Sequence, residues 1–190
     1  MDRLGAAAAL LACAAAAFLE RGLSAVAGEH KFEILLRATT PGPELEAVLV
    51  NRSGVELSVL RSSDLQPSRL ILKDASGREL TPFDERTRRK FDRSVSRGMY
   101  VKAPPGGSVA LERAAFRKLP GGKYELRWGP FQFREIPPGL WKARVRLDST
   151  IDYVTEKGHR VPLAGVWKGT VLSEEVDVRL DDSGHVDRRP

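Results

Sequence analysis

Trp141, Ala143, Val145 and Leu147 alternate with Lys142, Arg144 and Arg146. Apolar side chains at every second position, set against an unbroken cationic row, describe a strand. Only a strand turns successive side chains to opposite faces. One face of this segment belongs on a core and the other in water. The segment from Gly165 to Leu180 continues the pattern with a fault in it. Trp167, Gly169 and Val171 share one parity, whereas Val176, Val178 and Leu180 share the other. One straight strand cannot bury both sets. Either a bulge near Ser173-Glu174 shifts the phase, or two short strands serve different sheets.

Similar alternation recurs along the chain. Phe32, Ile34 and Leu36 alternate with charged neighbours. Leu45 to Val50 is apolar on both faces apart from Glu46, as a central strand would be. Asn51-Arg52-Ser53-Gly54 reads as a turn, after which Val55, Leu57 and Val59 close a hairpin. Leu70 and Leu72 lead to the turn Asp74-Ala75-Ser76-Gly77, with Arg78 to Leu80 returning as partner. Met99 to Lys102, Val109 and Leu111 follow, then Tyr124, Leu126 and Trp128 on one face. Phe131, Phe133 and Glu135 oppose Gln132 and Arg134. The predicted class is all-β, a single antiparallel sandwich over 28–180, with a polar tail over 181–190.

One segment departs from this pattern. Thr81-Pro82-Phe83-Asp84 carries a helix-start signature: Thr as N-cap, Pro at the first helical position and Asp three residues after the cap. The spacing predicts one short inserted helix near 82–94, with Asp84–Arg88 and Glu85–Arg89 as i,i+4 ion pairs. On that helix Arg86, Arg89, Lys90, Arg93 and, one turn further, Arg97 fall within about one third of the circumference. Such a stripe suits phosphates, anionic headgroups or acidic glycans through charge-assisted hydrogen bonds. It is the candidate contact site for an anion or a partner. The bland alternative is a solvated helix face, partly neutralised by Asp84, Glu85 and Asp92.

The N-terminus bears on the address. Leu4 to Leu19 is uncharged and mostly apolar, and Ala25-Val26-Ala27 presents small residues at the positions a signal peptidase reads. Residues 1–27 are therefore expected to be a signal peptide, with the exported chain starting at Gly28 and lying outside the cell or in a periplasm. Two alternatives stand beside this: an uncleaved anchor, and a lipoprotein signal in which Leu10-Leu11-Ala12-Cys13 serves as the lipobox. Membrane attachment follows only from one of these. Cys13 is the single cysteine. Its loss with the signal leaves no thiol or disulfide chemistry, so stability has to come from an apolar core. Two acidic and two basic residues leave with the signal, and the net charge stays at +6. Arginine outnumbers lysine and the leader is alanine-rich, a composition that fits a bacterial source.

Two short echoes, Leu119-Pro120-Gly121-Gly122-Lys123-Tyr124 and Ile136-Pro137-Pro138-Gly139-Leu140-Trp141, place an aromatic soon after a Pro-Gly turn. This is similar to the tyrosine-corner approach of fibronectin type III and other immunoglobulin-like domains. Trp167-Lys168-Gly169-Thr170-Val171, followed by Ser173 and Val176-Asp177-Val178, resembles the last strand of exported bacterial sandwiches. Among these is the BsuPI-type proteinase-inhibitor domain. The resemblance implies an immunoglobulin-like sandwich, and a fold alone carries no activity with it.

No motif in the sequence names a reaction. His30, His159 and His185 are not spaced as zinc ligands, and there is no HExxH, Gly-x-Ser-x-Gly or Walker A pattern. Asp148, Asp152 and Glu156 crowd one stretch without matching a calcium-loop spacing. No catalytic, cofactor or metal residue is assigned, and no cofactor is expected. The expectation is an exported, non-enzymatic binding or interaction module whose end loops, 61–68, 84–98 and 149–165, meet a protein, a glycan or an anionic surface. Nucleic acid is not an expected partner, since no binding motif for it occurs. The alternatives are a proteinase inhibitor of the BsuPI type, offering an arginine between Arg86 and Arg93, and a hydrolase with an unrecognised site. Trp128, Trp141 and Trp167 are expected in the core.

Overall fold

The computed structural model describes residues 32–39, 44–61, 65, 68–88 and 94–181. The segment expected to be a signal peptide, the Leu10–Cys13 motif within it and the tail beyond Asp181 lie outside them. Every extended element belongs to an antiparallel pairing apart from one parallel bridge, Ser58 to Val166. Among the described residues no helix is long and apolar enough to cross a membrane.

The larger sheet holds β1 (Phe32–Thr39), β2 (Glu44–Asn51), β5 (Phe83–Asp84), β7 (Ser108–Lys118), β8 (Tyr124–Trp128) and β9 (Phe131–Ile136), in the order β1-β2-β7-β8-β9-β5. The smaller sheet is built on β10 (Gly139–Ser149). On one side it pairs with β4 (Arg69–Lys73), and on the other with β13 (Gly169–Leu172) and β14 (Val176–Leu180). The alternation seen in the sequence faces inward as expected: Trp141, Ala143, Val145 and Leu147 are all buried, Val145 completely. One continuous core joins the inner faces of both sheets. Phe32 of β1 and Trp167, just before β13, meet edge to face with ring centroids 5.0 Å apart. The protein is an all-β sandwich.

The fault near Ser173 is a bulge. β4 overlaps both β13 and β14 along β10, so these two lie end to end on the opposite edge of β10. Between the two registers, Arg144 and Val145 face Ser173, Glu174 and Glu175, one residue too many on the outer strand. Ser173 fills the gap. Its backbone N–H donates to the Val145 carbonyl, and its Oγ accepts the Val145 N–H, both at 2.9 Å. The phase shift buries Val171 on one side and Val178 and Leu180 on the other.

β3 (Leu57–Leu60) pairs with β6 (Tyr100–Ala103), and β11 (Tyr153–Glu156) with β12 (His159–Pro162). The first pairing corrects an expectation. Leu57 to Leu60 does not form a hairpin with β2, and Val55 is exposed. The cause is Asn51, fully buried at the end of β2. Its amide donates to the carbonyls of Val55 and Ala103, and its Oδ1 accepts from the N–H and hydroxyl of Ser53. This side chain fixes the exit of the chain from the large sheet toward β6.

The helix expected near 82–94 is also corrected. Phe83–Asp84 is a strand at the edge of the large sheet, paired with Gln132 and Phe131. Among the described residues of this segment only Glu85–Arg88 is helical, as one 3₁₀ turn, and residues 94–96 are irregular; residues 89–93 lie outside the described ones. Asp84, not Thr81, heads the turn: its Oδ1 accepts the Arg86 N–H at 3.0 Å, and its carbonyl accepts the Thr87 hydroxyl. Pro82 lacks an N–H and is as compatible with an edge strand as with a first helical turn. Asp84 pairs with Arg86, and Glu85 with Arg127.

Candidate functional site

The end loops meet at a cleft of about 420 Å³. Leu65 comes from the first loop, Asp84 and Arg86 from the second and Thr150 from the third; Arg69, Phe131 and Asp148 complete the walls with Thr81 and Pro82. Each side chain is placed by the end of an element. Arg69 opens β4, Phe131 opens β9, and Asp148 stands near the end of β10. The short β5 turns into its 3₁₀ helix at the rim, held by the Glu85 N–H donating to the Pro130 carbonyl at 2.9 Å.

The charges in the cleft are strongly oriented. Asp84 accepts from Arg86 Nε and Nη2 at 2.9 and 2.6 Å, and the guanidinium carbon lies 5.2 Å from the Phe131 ring centroid. These hydrogen bonds hold the Asp84 carboxyl below its ordinary range against the opposing effect of partial burial. Across the cleft, Asp148 accepts from Arg146 Nε and, at 2.6 Å, from the Thr170 hydroxyl. Partial burial raises the Asp148 pKa, but these bonds and the charges of Arg146 and Arg69 outweigh it and hold the group low. Arg69 reaches Glu79 at 3.2 Å. Two guanidinium groups, two ionised carboxylates and an aromatic wall therefore surround one space, a surface that can orient a ligand carrying both charge and apolar bulk.

The candidate contact residues fare differently. Arg86 lines the cleft. Arg97 sits apart from it, at the start of the 3₁₀ turn Arg97–Met99, with Nη2 3.1 Å from Glu156 Oε1. Arg89, Lys90 and Arg93 lie outside the described residues. The two described members stand on separate short turns, each bound to a carboxylate, so the expected helical geometry does not join them.

The acidic stretch is likewise dispersed. Asp152 pairs with Lys168 at 2.7 Å, Glu156 with Arg97, and Asp148 with Arg146. Among the described residues no group of three or more His, Cys, Asp or Glu side chains is placed to hold a metal ion. His159 is exposed on β12; His30 and His185 lie outside the described residues.

Thr150 falls in the expected contact loop 149–165, but sequence reasoning missed Arg69, Phe131 and Asp148 as site residues. Nothing local marks them, since they come together only through pairing of distant strands. It also missed the hairpin β11–β12. Lys157 and Gly158 both have positive φ, 49° and 82°, the twist a two-residue hairpin turn needs. The X-Gly pair between Tyr153-Val154-Thr155 and Val161 was the available signal. The hairpin braces the segment carrying Arg97: the Val95 N–H donates to Thr155 Oγ1, and the Tyr100 hydroxyl to the Tyr153 carbonyl at 2.8 Å. Neither protein-family models nor curated proteins give a match to this chain.

Proposed function

We propose that the protein is an exported, non-enzymatic binding module with an immunoglobulin-like sandwich, and that the end cleft takes its ligand. The observation that supports this reading is the convergence of three end loops on one cleft with opposed charges, Arg86 and Arg69 facing Asp148 beside Phe131. Loops at the end of a rigid sandwich are where such scaffolds carry recognition. Arg86 is turned inward onto Asp84 and Phe131, which favours a binding pocket over a protease inhibitor's outward arginine.

The test is thermal unfolding of the purified exported protein with three probes: hexaglutamate, oligogalacturonate and a mixed Lys/Glu peptide. At least one probe is expected to raise the unfolding midpoint of the wild type and to lose that effect in both Arg86→Gln and Phe131→Leu. Stabilisation that survives in both variants would place the contact elsewhere. No stabilisation by any of the three would remove the support for this reading.

A further inference from the structure

The outer face of the smaller sheet has a charge pattern that the fold does not require. Across the β4–β10 pairing, Arg146 stands opposite Arg69 and Lys142 opposite Lys73. Like charges directly across a strand pair repel and weaken a sheet. Arg144 lies between these two rows, opposite Ile71, and Arg179 extends the face on β14. Four carboxylates offset part of this charge: Glu79 pairs with Arg69, Asp148 with Arg146, and Glu175 and Asp177 with Lys142. These six cations and the four named carboxylates share one sheet face.

Apolar groups share the same face. Three large hydrophobic side chains are the exposed ones among the described residues, and two of them, Leu140 and Leu172, stand here at 46% and 43% exposure. Leu140 is opposite Arg179, and Leu172 is opposite Arg146. Each leucine is therefore flanked by a guanidinium across the ladder.

We propose that this face docks on an anionic phospholipid surface. Long cationic side chains reach phosphate groups while their aliphatic stems, with Leu140 and Leu172, enter the boundary of the acyl region. Neighbouring phosphates relieve the repulsion between Lys73 and Lys142 and between Arg69 and Arg146. Charge complementarity with a plane of phosphates accounts for the like-charge rows, and the two leucines favour a lipid surface over a soluble polyanion. The proposal goes beyond the cleft, with which this face shares only Arg69 and Asp148.

The experiment is co-sedimentation of the exported protein with vesicles of phosphatidylcholine alone and of phosphatidylcholine mixed with phosphatidylglycerol. Binding is expected only to the mixed vesicles and should weaken as screening shortens to about 8 Å near physiological salt. Each cation near an anionic surface contributes about fivefold, so the variant K73Q/K142Q/R144Q should bind about 100-fold more weakly. Leu140→Ala with Leu172→Ala should weaken binding while leaving its salt dependence unchanged. The control R113Q/R117Q/K118Q removes as many cations from β7. Equal loss in both triple variants would leave net charge as the only cause and overturn the proposal. So would binding to a soluble sulfated polysaccharide with none to the vesicles. A lower unfolding midpoint in K73Q/K142Q/R144Q, with vesicle binding intact, would mark these cations as structural and overturn it as well.

Discussion

Asn51 shows how much a single buried polar residue can decide. Its amide and carbonyl satisfy four groups at the corner where β2, β3 and β6 meet, while the backbone of the same residue exchanges bonds with Gly106 and Gly107. Replacing it with Ala leaves the Ala103 carbonyl buried without its partner, at a cost of about 3 kcal/mol in urea unfolding. A loss near zero would show that water substitutes for the amide. Glu112 is the opposite case. It shares the inward parity of Ala114 and Phe116 because Leu111 is bulged out of the β2–β7 register. Loss of water raises its pKa, while the Arg113 N–H and the charges of Arg61 and Arg127 only partly compensate. A carboxyl with a raised folded pKa favours the folded state when protonated, and that contribution is lost as pH rises through it. Glu112→Gln should therefore raise the unfolding midpoint at neutral pH, with the gain vanishing below the ordinary glutamate pKa of about 4.3. A gain independent of pH would assign the effect to packing instead.

At the scale of elements, legibility followed the strength of the alternation. β10 was readable because seven consecutive residues, Trp141 to Leu147, obey one period and its inner face is sealed. The fault in the next segment was readable too, because parity is a strict constraint; only the choice between bulge and sheet switch needed the pairing partner. The segment after Thr81 was misread for a physical reason. Thr-Pro-x-Asp describes a local backbone preference, and here Phe83 and Asp84 pair with the edge of β9 instead of opening a helix. Phe133 and Ile136 are buried while Glu135, with φ 53°, turns outward at a third bulge opposite β8. The parity expected for Glu135 failed there because no sequence signal marks a non-glycine residue in that region. The Ser173 bulge yields a direct test. Glu174→Gly touches an exposed residue and should change stability by under about 1 kcal/mol, whereas Ser173→Ala orphans the Val145 N–H and should cost about 1–3 kcal/mol. Deleting Glu174 removes the one extra residue and leaves Val171, Val178 and Leu180 on a single parity, so the variant should still fold, as judged by retained near-ultraviolet dichroism. An unfolded deletion variant would mean that the edge needs the bulge itself and is not held by parity alone.

On the scale of the whole molecule, the all-β class was legible from local pattern, whereas the strand order was not. β2–β7 and β4–β10 are pairings between segments far apart in the sequence, and nothing local encodes which distant strand becomes the neighbour. The cleft inherits this, since its walls belong to both sheets. Beyond the shared core, β8 links the two sheets at both of its ends. The Trp128 indole N–H donates to the carbonyl and hydroxyl of Ser68, just before β4, at 3.1 Å. The Tyr124 hydroxyl donates to the Asp181 carbonyl, just after β14. The resemblance to a tyrosine corner thus ends in a different contact, one that spans the sandwich. Tyr124→Phe keeps the ring in its buried site and should cost about 1 kcal/mol. Trp128→Phe removes volume as well as the donor and should cost about 2–3 kcal/mol. The two sites are about 13 Å apart along the strand and share no partner, so the double variant should match the sum of the single losses within about 0.5 kcal/mol. A double loss well above that sum would show that each clasp holds the sheets for the other, and that the sandwich opens from its ends.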